Sequence, residues 1–267
     1  MSHTIALAAC LAIFQPPPAM EFLNVRTPLG LYGANRPDPR RFLPGDNFIL
    51  AFDLSGLKIT DPGRALFSLE GELFDSTGKS VFKAAPKETE SFSPLGGNRV
   101  PAYAAVNINP NYPPGKYLYK LTATDLLEKK SATLSYPLEI MAKSLGFILW
   151  HMTYEDNFPA PPMAVPGQVL ILRYCVIGFE TDPKTRKPNL SFSMRILDEA
   201  GQPTLAKPFI GEAKDISEEF KDILPITFPI RPNKPGKYKI EVTLVDNLTR
   251  NRVTIKQECS LWVYEPR

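Results

Sequence analysis

Histidine is almost missing from this chain, and cysteine and tryptophan are scarce. The histidines are His3 and His151, the cysteines Cys10, Cys175 and Cys259, the tryptophans Trp150 and Trp262. One histidine beyond the N-terminal segment cannot build a multi-His zinc site, and Cys175 and Cys259 lack zinc-ligand spacing. Also absent are a Gly-rich phosphate loop, a Gly-x-Ser-x-Gly nucleophile elbow and an EF-hand run. Asp61 and Asp182 supply no convergent set of oxygens for calcium. The carboxylate pairs Glu88/Glu90, Glu155/Asp156 and Glu218/Glu219 are adjacent or near-adjacent in sequence, which reads as solvated surface rather than an acid/base couple. No catalytic, cofactor-binding or metal-binding residue is therefore assigned, and the chain is not read as an enzyme.

Charge of one sign is missing too. Residues 20–143 carry 15 Lys+Arg against 13 Asp+Glu, and residues 144–267 carry 16 against 15. A nucleic-acid binder concentrates basic charge on one element, so no nucleic-acid partner is expected. The apolar stretch 4–14 is too short to span a bilayer but suits the core of a signal peptide, with prolines 16–18 opening a mature linker. Leu7-Ala8-Ala9-Cys10 resembles a bacterial lipobox, with Cys10 as the lipid acceptor. It stands early, however, and the apolar run continues past it, so the expectation is a leader over residues 1–19 and an extracytoplasmic protein without a transmembrane span.

What is present is a repeat. Pro114-Gly115-Lys116-Tyr117 opens an alternating run through Tyr119, Leu121 and Ala123 to Asp125; Pro235-Gly236-Lys237-Tyr238 opens another through Ile240, Val242 and Leu244 to Asp246. Alternation over about eight residues is the signature of a half-buried strand, and Pro-Gly before it makes a turn. Other pairs keep that spacing within two residues: Gly45 with Gly167, Gly56 with Gly178, Asp75 with Asp198 and Gly78 with Gly201. Such constancy indicates a tandem duplication, with halves at 20–143 and 144–267 joined by the short linker Met141-Ala142-Lys143-Ser144.

Each half then checks the other. Phe48, Leu50, Phe52 and Leu54 match Leu170, Leu172, Tyr174 and Val176 on the core side of one strand, with Asp53 and Arg173 outside. Leu69 and Leu73 match Phe192 and Ile196. Ala102, Ala104, Val106 and Ile108 are matched with Leu224, Ile226, Phe228 and Ile230. The final strands end at Leu138 and Ile140 and at Leu261 and Val263. First strands are placed near residues 22–26 and 145–152, and a helical turn or two at 212–221. The 28 prolines, about twice the ordinary share, suit loops and edge strands. The fold class expected is all-β: two tandem immunoglobulin-like seven-strand antiparallel β-sandwiches.

Tyr117 and Tyr238, on the first inward position after the Pro-Gly turn, resemble the tyrosine corner of immunoglobulin-like sandwiches. The whole pattern is similar to bacterial immunoglobulin-like modules, including the macroglobulin type. The antibody version is not met: Tyr119 and Ile240 stand where its disulfide cysteine would be, and neither third strand carries a Trp. Cys175 lies in the outward phase and Cys259 in the inward phase, so two free thiols are expected.

One segment departs from the repeat. Trp150-His151-Met152-Thr153-Tyr154-Glu155-Asp156 is aromatic and acidic where the first half has a Gly-rich loop. Trp150 and Tyr154 could anchor a partner, with Glu155 and Asp156 as polar selectors and His151 a further candidate contact; the alternative, which is favoured, is packing between the halves beside the short linker. Trp262 is a further candidate contact, and the basic loop 180–188 reads as a soluble loop tip. The expected function is a non-enzymatic interaction or spacer protein that displays loops and strand edges to a protein partner. Carbohydrate binding through exposed aromatics (Trp262, Trp150, Tyr103, Tyr112) is the alternative, and an enzyme accessory domain comes last.

Overall fold

The structure is a computed structural model that describes residues 19–249 and 252–265; the leader, with His3 and Cys10, lies outside them. The first half contains β1 (Glu21–Arg26), β2 (Arg41–Phe42), β3 (Asn47–Ser55), β4 (Ile59–Thr60), β5 (Arg64–Phe74), β6 (Ser80–Phe92), β7 (Arg99–Asn107), β8 (Gly115–Asp125) and β9 (Ser131–Ile140). The second contains β10 (Gly146–Thr153), β11 (Pro159–Ala160), β12 (Met163–Ala164), β13 (Leu170–Ile177), β14 (Leu190–Leu197), β15 (Phe209–Ala213), β16 (Ile223–Ile230), β17 (Gly236–Asp246) and β18 (Thr254–Val263). The chain is all-β; its one helical element among the described residues is a three-residue 3₁₀ turn, Glu218–Phe220.

Four sheets result. In the first half β1-β3-β7 faces β2-β9-β8-β5-β4, with β6 also paired to β5; in the second β11-β10-β13-β16 faces β12-β18-β17-β14-β15. The alternation explains the cores. Phe48, Leu50, Phe52 and Leu54 of β3 meet Phe67, Leu73, Tyr119 and Leu121 from the opposing sheet, and Leu170, Leu172, Tyr174 and Val176 of β13 meet Leu190, Ile240, Val242 and Leu244. Inward residues at every second position are what the pleat of a half-buried strand requires.

Two sequence expectations need correction. Residues 212–221 are not helical as a whole: Glu212 lies in β15, paired opposite Ser191 of β14. Without its own apolar stripe, that segment is held by sheet pairing instead. The match between β7 and β16 also slips by two residues. Val106 stands opposite Phe48 and Ile230 opposite Leu170, so Val106 corresponds to Ile230, Ala104 to Phe228 and Ala102 to Ile226. A slip of two leaves the inward phase intact, because two is the strand period. Gly45 N–H donates to Ile108 O and Gly167 N–H to Pro232 O, which makes Ile108 the counterpart of Pro232. The connection onward to the Pro-Gly turn is then residues 109–113 in the first half but only 233–234 in the second.

Each half also closes around a buried carboxylate. Asp125 Oδ1 accepts the N–H groups of Leu127 and Glu128, while Oδ2 accepts that of Lys58 at 2.7 Å. Asp246 Oδ1 accepts from Leu248 and Oδ2 from Glu180 at 2.8 Å. Both aspartates are fully buried. They tie the turn after β8 or β17 to the chain leaving β3 or β13, and satisfy backbone donors that would otherwise be stranded inside.

The halves meet through residues 27–49. Leu29 is buried within the second core, beside Trp150 and Met152. Gly30 (φ +73°) lies against the Cβ of His151, where a side chain would collide. The β10–β13 ladder carries a bulge between Ile148 and His151, with Leu149 at φ 54°. The bulge turns Leu149 N–H out of the ladder and toward Asp46, whose Oδ1 accepts it at 2.9 Å. Asp46 Oδ2 meets the Arg36 guanidinium at 2.6 Å, and Arg36 lies over the Phe42 ring at 4.6 Å.

Candidate interaction site

The bulge at Leu149 decides the fate of the aromatic segment. Trp150 points inward: it is 4% exposed, stacks on Tyr174 at 4.9 Å and meets Phe147 edge-on. A surface anchor at Trp150 is thereby corrected, because the ring belongs to the second core. His151 is half-buried against Gly30, and its Nδ1 lies 2.6 Å from Leu149 O, so that nitrogen donates its hydrogen. Tyr154 is half-buried against the same core. Glu155 and Asp156 are exposed at the tip, where Asp156 accepts Phe158 N–H in a turn. A pocket of about 250 Å³ beside His151 is lined by Arg36, Asp46, Asn47 and Leu149, with Asp46 its one carboxylate. Arg36 Nε and Asn47 Oδ1 are buried without a hydrogen-bond partner.

The other candidates lie apart. Trp262 is 45% exposed on β18, stacked on Tyr264 at 4.4 Å with Lys237 Nζ 5.8 Å from its ring. Tyr117 donates its hydroxyl hydrogen to Pro113 O at 2.8 Å, and Tyr238 to Lys234 O at 3.1 Å. Both hydroxyls thus reach back to backbone just before the Pro-Gly turn. Cys175 is half-buried and Cys259 buried, both free. Burial raises both thiols, Cys259 to about 12 against a hydrogen bond from Trp150. Neither is poised as a thiolate nucleophile. Among the described residues no group of His, Cys, Asp and Glu could hold a metal ion.

What sequence reasoning missed is the slot between the sheets, on the side where β6 faces β7 and β15 faces β16. Among the described strands, none of these four is paired along its outer edge. Comparing the two halves explains where each slot opens. In the first, β7 has the small Ala102 and Ala104 on its inward positions, and Gly71 of β5 lies under the Tyr119 ring; a cavity of about 450 Å³ reaches down to Phe67, Tyr119 and Leu121. The Tyr119 hydroxyl, in this floor, makes no hydrogen bond among the described residues, and burial lifts it to about 12. In the second half the same positions hold Ile226, Phe228, Met194 and Ile240, which close that stretch.

The far end of the slot is reversed. In the first half the longer connection brings in Tyr112, stacked on Tyr117 at 6.0 Å and donating to Val81 O at 2.9 Å. In the second, the shorter connection supplies Asn233 and Lys234, and a cavity of about 610 Å³ opens between Leu205, Phe209, Phe228, Ile230 and Tyr238. The only signal for it in the sequence was the three-residue difference between the connections, hidden by the two-residue slip of β7 against β16.

No protein-family model matches the chain, and no characterised protein is found as a relative. Among solved structures, it is similar to the alkylpurine DNA glycosylase AlkC of Pseudomonas fluorescens bound to DNA containing an abasic-site analogue (14% identity, TM-score 0.30, 46% of this chain and 30% of that one). It is similar to red sea bream transglutaminase (9%, 0.29, 93% and 32%). It is also similar to the CARDB domain of a Pyrococcus furiosus protein in complex with di-metal ions (15%, 0.29, 46% and 96%). The chain covers about a third of the length of the first two. All three likenesses are low in both identity and TM-score. No helix among the described residues is long and apolar enough to cross a membrane.

Proposed function

We propose that this chain is a non-enzymatic, exported interaction or spacer protein, built as two tandem immunoglobulin-like sandwiches at 20–143 and 144–267. In this reading the sheets hold loops and strand edges in fixed positions for a protein partner. The observation that carries it is the junction. Leu29 inserted into the second core, Gly30 against His151 and the buried Asp46–Arg36–Leu149 contact fix one half against the other. Two halves joined by so few residues and a desolvated polar contact present their surfaces at one mutual geometry, as display or spacing requires. The aromatic segment 150–158 serves this junction through Trp150 and His151, leaving Glu155 and Asp156 to solvent.

Sugar binding draws less support. Of the four aromatics eligible for a platform, Trp150 and Tyr112 are packed inside, and Tyr264 covers one face of Trp262. Tyr103 and Trp262 are exposed but belong to different halves. The test is capture from cell-envelope extract by the leaderless two-half protein, with and without enzymatic deglycosylation. Retention of a protein partner that survives deglycosylation is expected. Retention abolished by deglycosylation would transfer the function to carbohydrate.

A further inference from the structure

From the second-half cavity we infer a recognition site for a tyrosine side chain presented by an acidic peptide segment of a partner protein. The inference rests on the interaction reading above and names its site and ligand chemistry. At about 610 Å³ the cavity lies within the range of built ligand pockets. Its walls are unusual for a surface meant to stay wet: Leu205 is 54% exposed and Phe209 43%, with Phe209 edge-on to Phe228 at 5.3 Å. Large apolar side chains left around an unfilled concavity mark a contact site more often than chance surface.

The first half shows what fits. Its equivalent space is filled by Tyr112, carried on the turn at residues 109–112 where Tyr112 N–H donates to Asn109 O, with the ring on Tyr117 and the hydroxyl donating to Val81 O. The matching features survive in the second half without the filler. Tyr238 is the counterpart of Tyr117. Thr204 N–H donates to Ile196 O as Phe82 pairs with Leu73, which makes Pro203, a lining residue, the counterpart of Val81. A ring platform and a backbone carbonyl position are thus retained, while the shorter connection leaves the space empty.

Charge selects the flanks. Arg231 and Lys234 line the cavity, and neither has an ion-pair or hydrogen-bond partner for its charged group among the described residues. Nearby Lys237, by contrast, is paired with Glu199. The one carboxylate in the lining, Asp198, is engaged by Gln202 N–H at 2.8 Å. Strand addition is an inferior mode here. Pro225 and Pro229 share the phase whose N–H groups face the outer edge of β16, so that edge lacks two donors. Insertion of a side chain remains.

The test is titration of the isotope-labelled leaderless protein with the peptide Ac-Glu-Asn-Tyr-Pro-Pro-Glu-NH₂, followed by amide chemical shifts. Shifts confined to β15, β16 and residues 196–207 are expected, lost when the peptide tyrosine is alanine. Glutamine in place of both peptide glutamates should weaken binding about tenfold. The variant Arg231→Gln/Lys234→Gln should weaken the glutamate peptide similarly and leave the glutamine peptide unaffected, which separates lost charge from lost fold. Equal binding of the alanine peptide, or no shift up to about millimolar peptide, overturns the site, as does free p-cresol binding as tightly as the peptide. Tyrosine-dependent shifts elsewhere, on β6 and β7 for instance, also overturn this site while leaving the interaction reading to stand or fall by extract capture.

Discussion

Removing the Asp46 carboxylate should loosen the junction at a cost that can be worked from its partners. The group is 2% exposed and accepts hydrogen bonds from Asn47 N–H, Leu149 N–H and Arg36 at 2.8, 2.9 and 2.6 Å. Asp46→Ala leaves a guanidinium with 12% of its side chain exposed and no counter-charge. Breaking one partner out of a buried pair costs about 3–5 kcal/mol, and an orphaned backbone N–H adds about 1–3 kcal/mol where water is excluded. Once the carboxylate is gone, the pocket of about 250 Å³ alongside gives water a route to the freed N–H. That places the expected loss near the lower end, about 3 kcal/mol, out of the ~5–15 kcal/mol of an ordinary domain. Urea melts followed by tryptophan fluorescence measure it, since Trp150 sits in the adjoining core. The second arm is Arg36→Met in the Asp46→Ala background. It takes away the stranded cation and should recover about 1–2 kcal/mol. A cost for Asp46→Ala below ~1 kcal/mol, or a double variant less stable than the single, would refute the picture of a desolvated lock.

The corner tyrosines should differ. Tyr117→Phe removes a 2.8 Å bond from a ring only 5% exposed and should cost about 1–2 kcal/mol, whereas half-buried Tyr238, bonded at 3.1 Å, should cost about 0.5–1 kcal/mol, with Tyr154→Phe as the mild control in the same melts. Gly71→Ala should destabilise by about 1–3 kcal/mol through collision with the Tyr119 ring, and the loss should shrink when Tyr119 is also replaced by Ile, as Ile240 accompanies Met194 in the second half. Tyr119 carries a folded pKa raised from 10.0 to about 12. Its contribution to stability is whole below the unfolded value and lost as pH rises through the folded one, so melts between those limits should weaken, and less steeply in Tyr119→Phe. In the leaderless protein both thiols should react once it is denatured without reductant, while the native protein should protect Cys259, whose pKa stands at about 12, more than Cys175.

Much of the architecture was legible in the chain because period-2 alternation is a local property. The inward sets of β3, β8, β13 and β17 follow from side chains that must alternate across a pleat, and the Pro-Gly turns set where two of those strands begin. Free cysteines also followed from phase alone. Sequence could not align β7 with β16, because a two-residue slip preserves phase; only pairing with β3 and β13 fixed the register. Nor could it place Trp150. An aromatic next to acids reads either as a contact surface or as packing between the halves; the bulge at Leu149 turns the ring onto Tyr174 and the freed N–H toward Asp46, 103 residues away in the chain. The cavities belong to the same class of fact. Whether Tyr112 fills a slot, or Asn233 leaves its counterpart open, depends on side chains from four separate strands and connections converging in space, and no local pattern encodes a volume enclosed by residues so far apart.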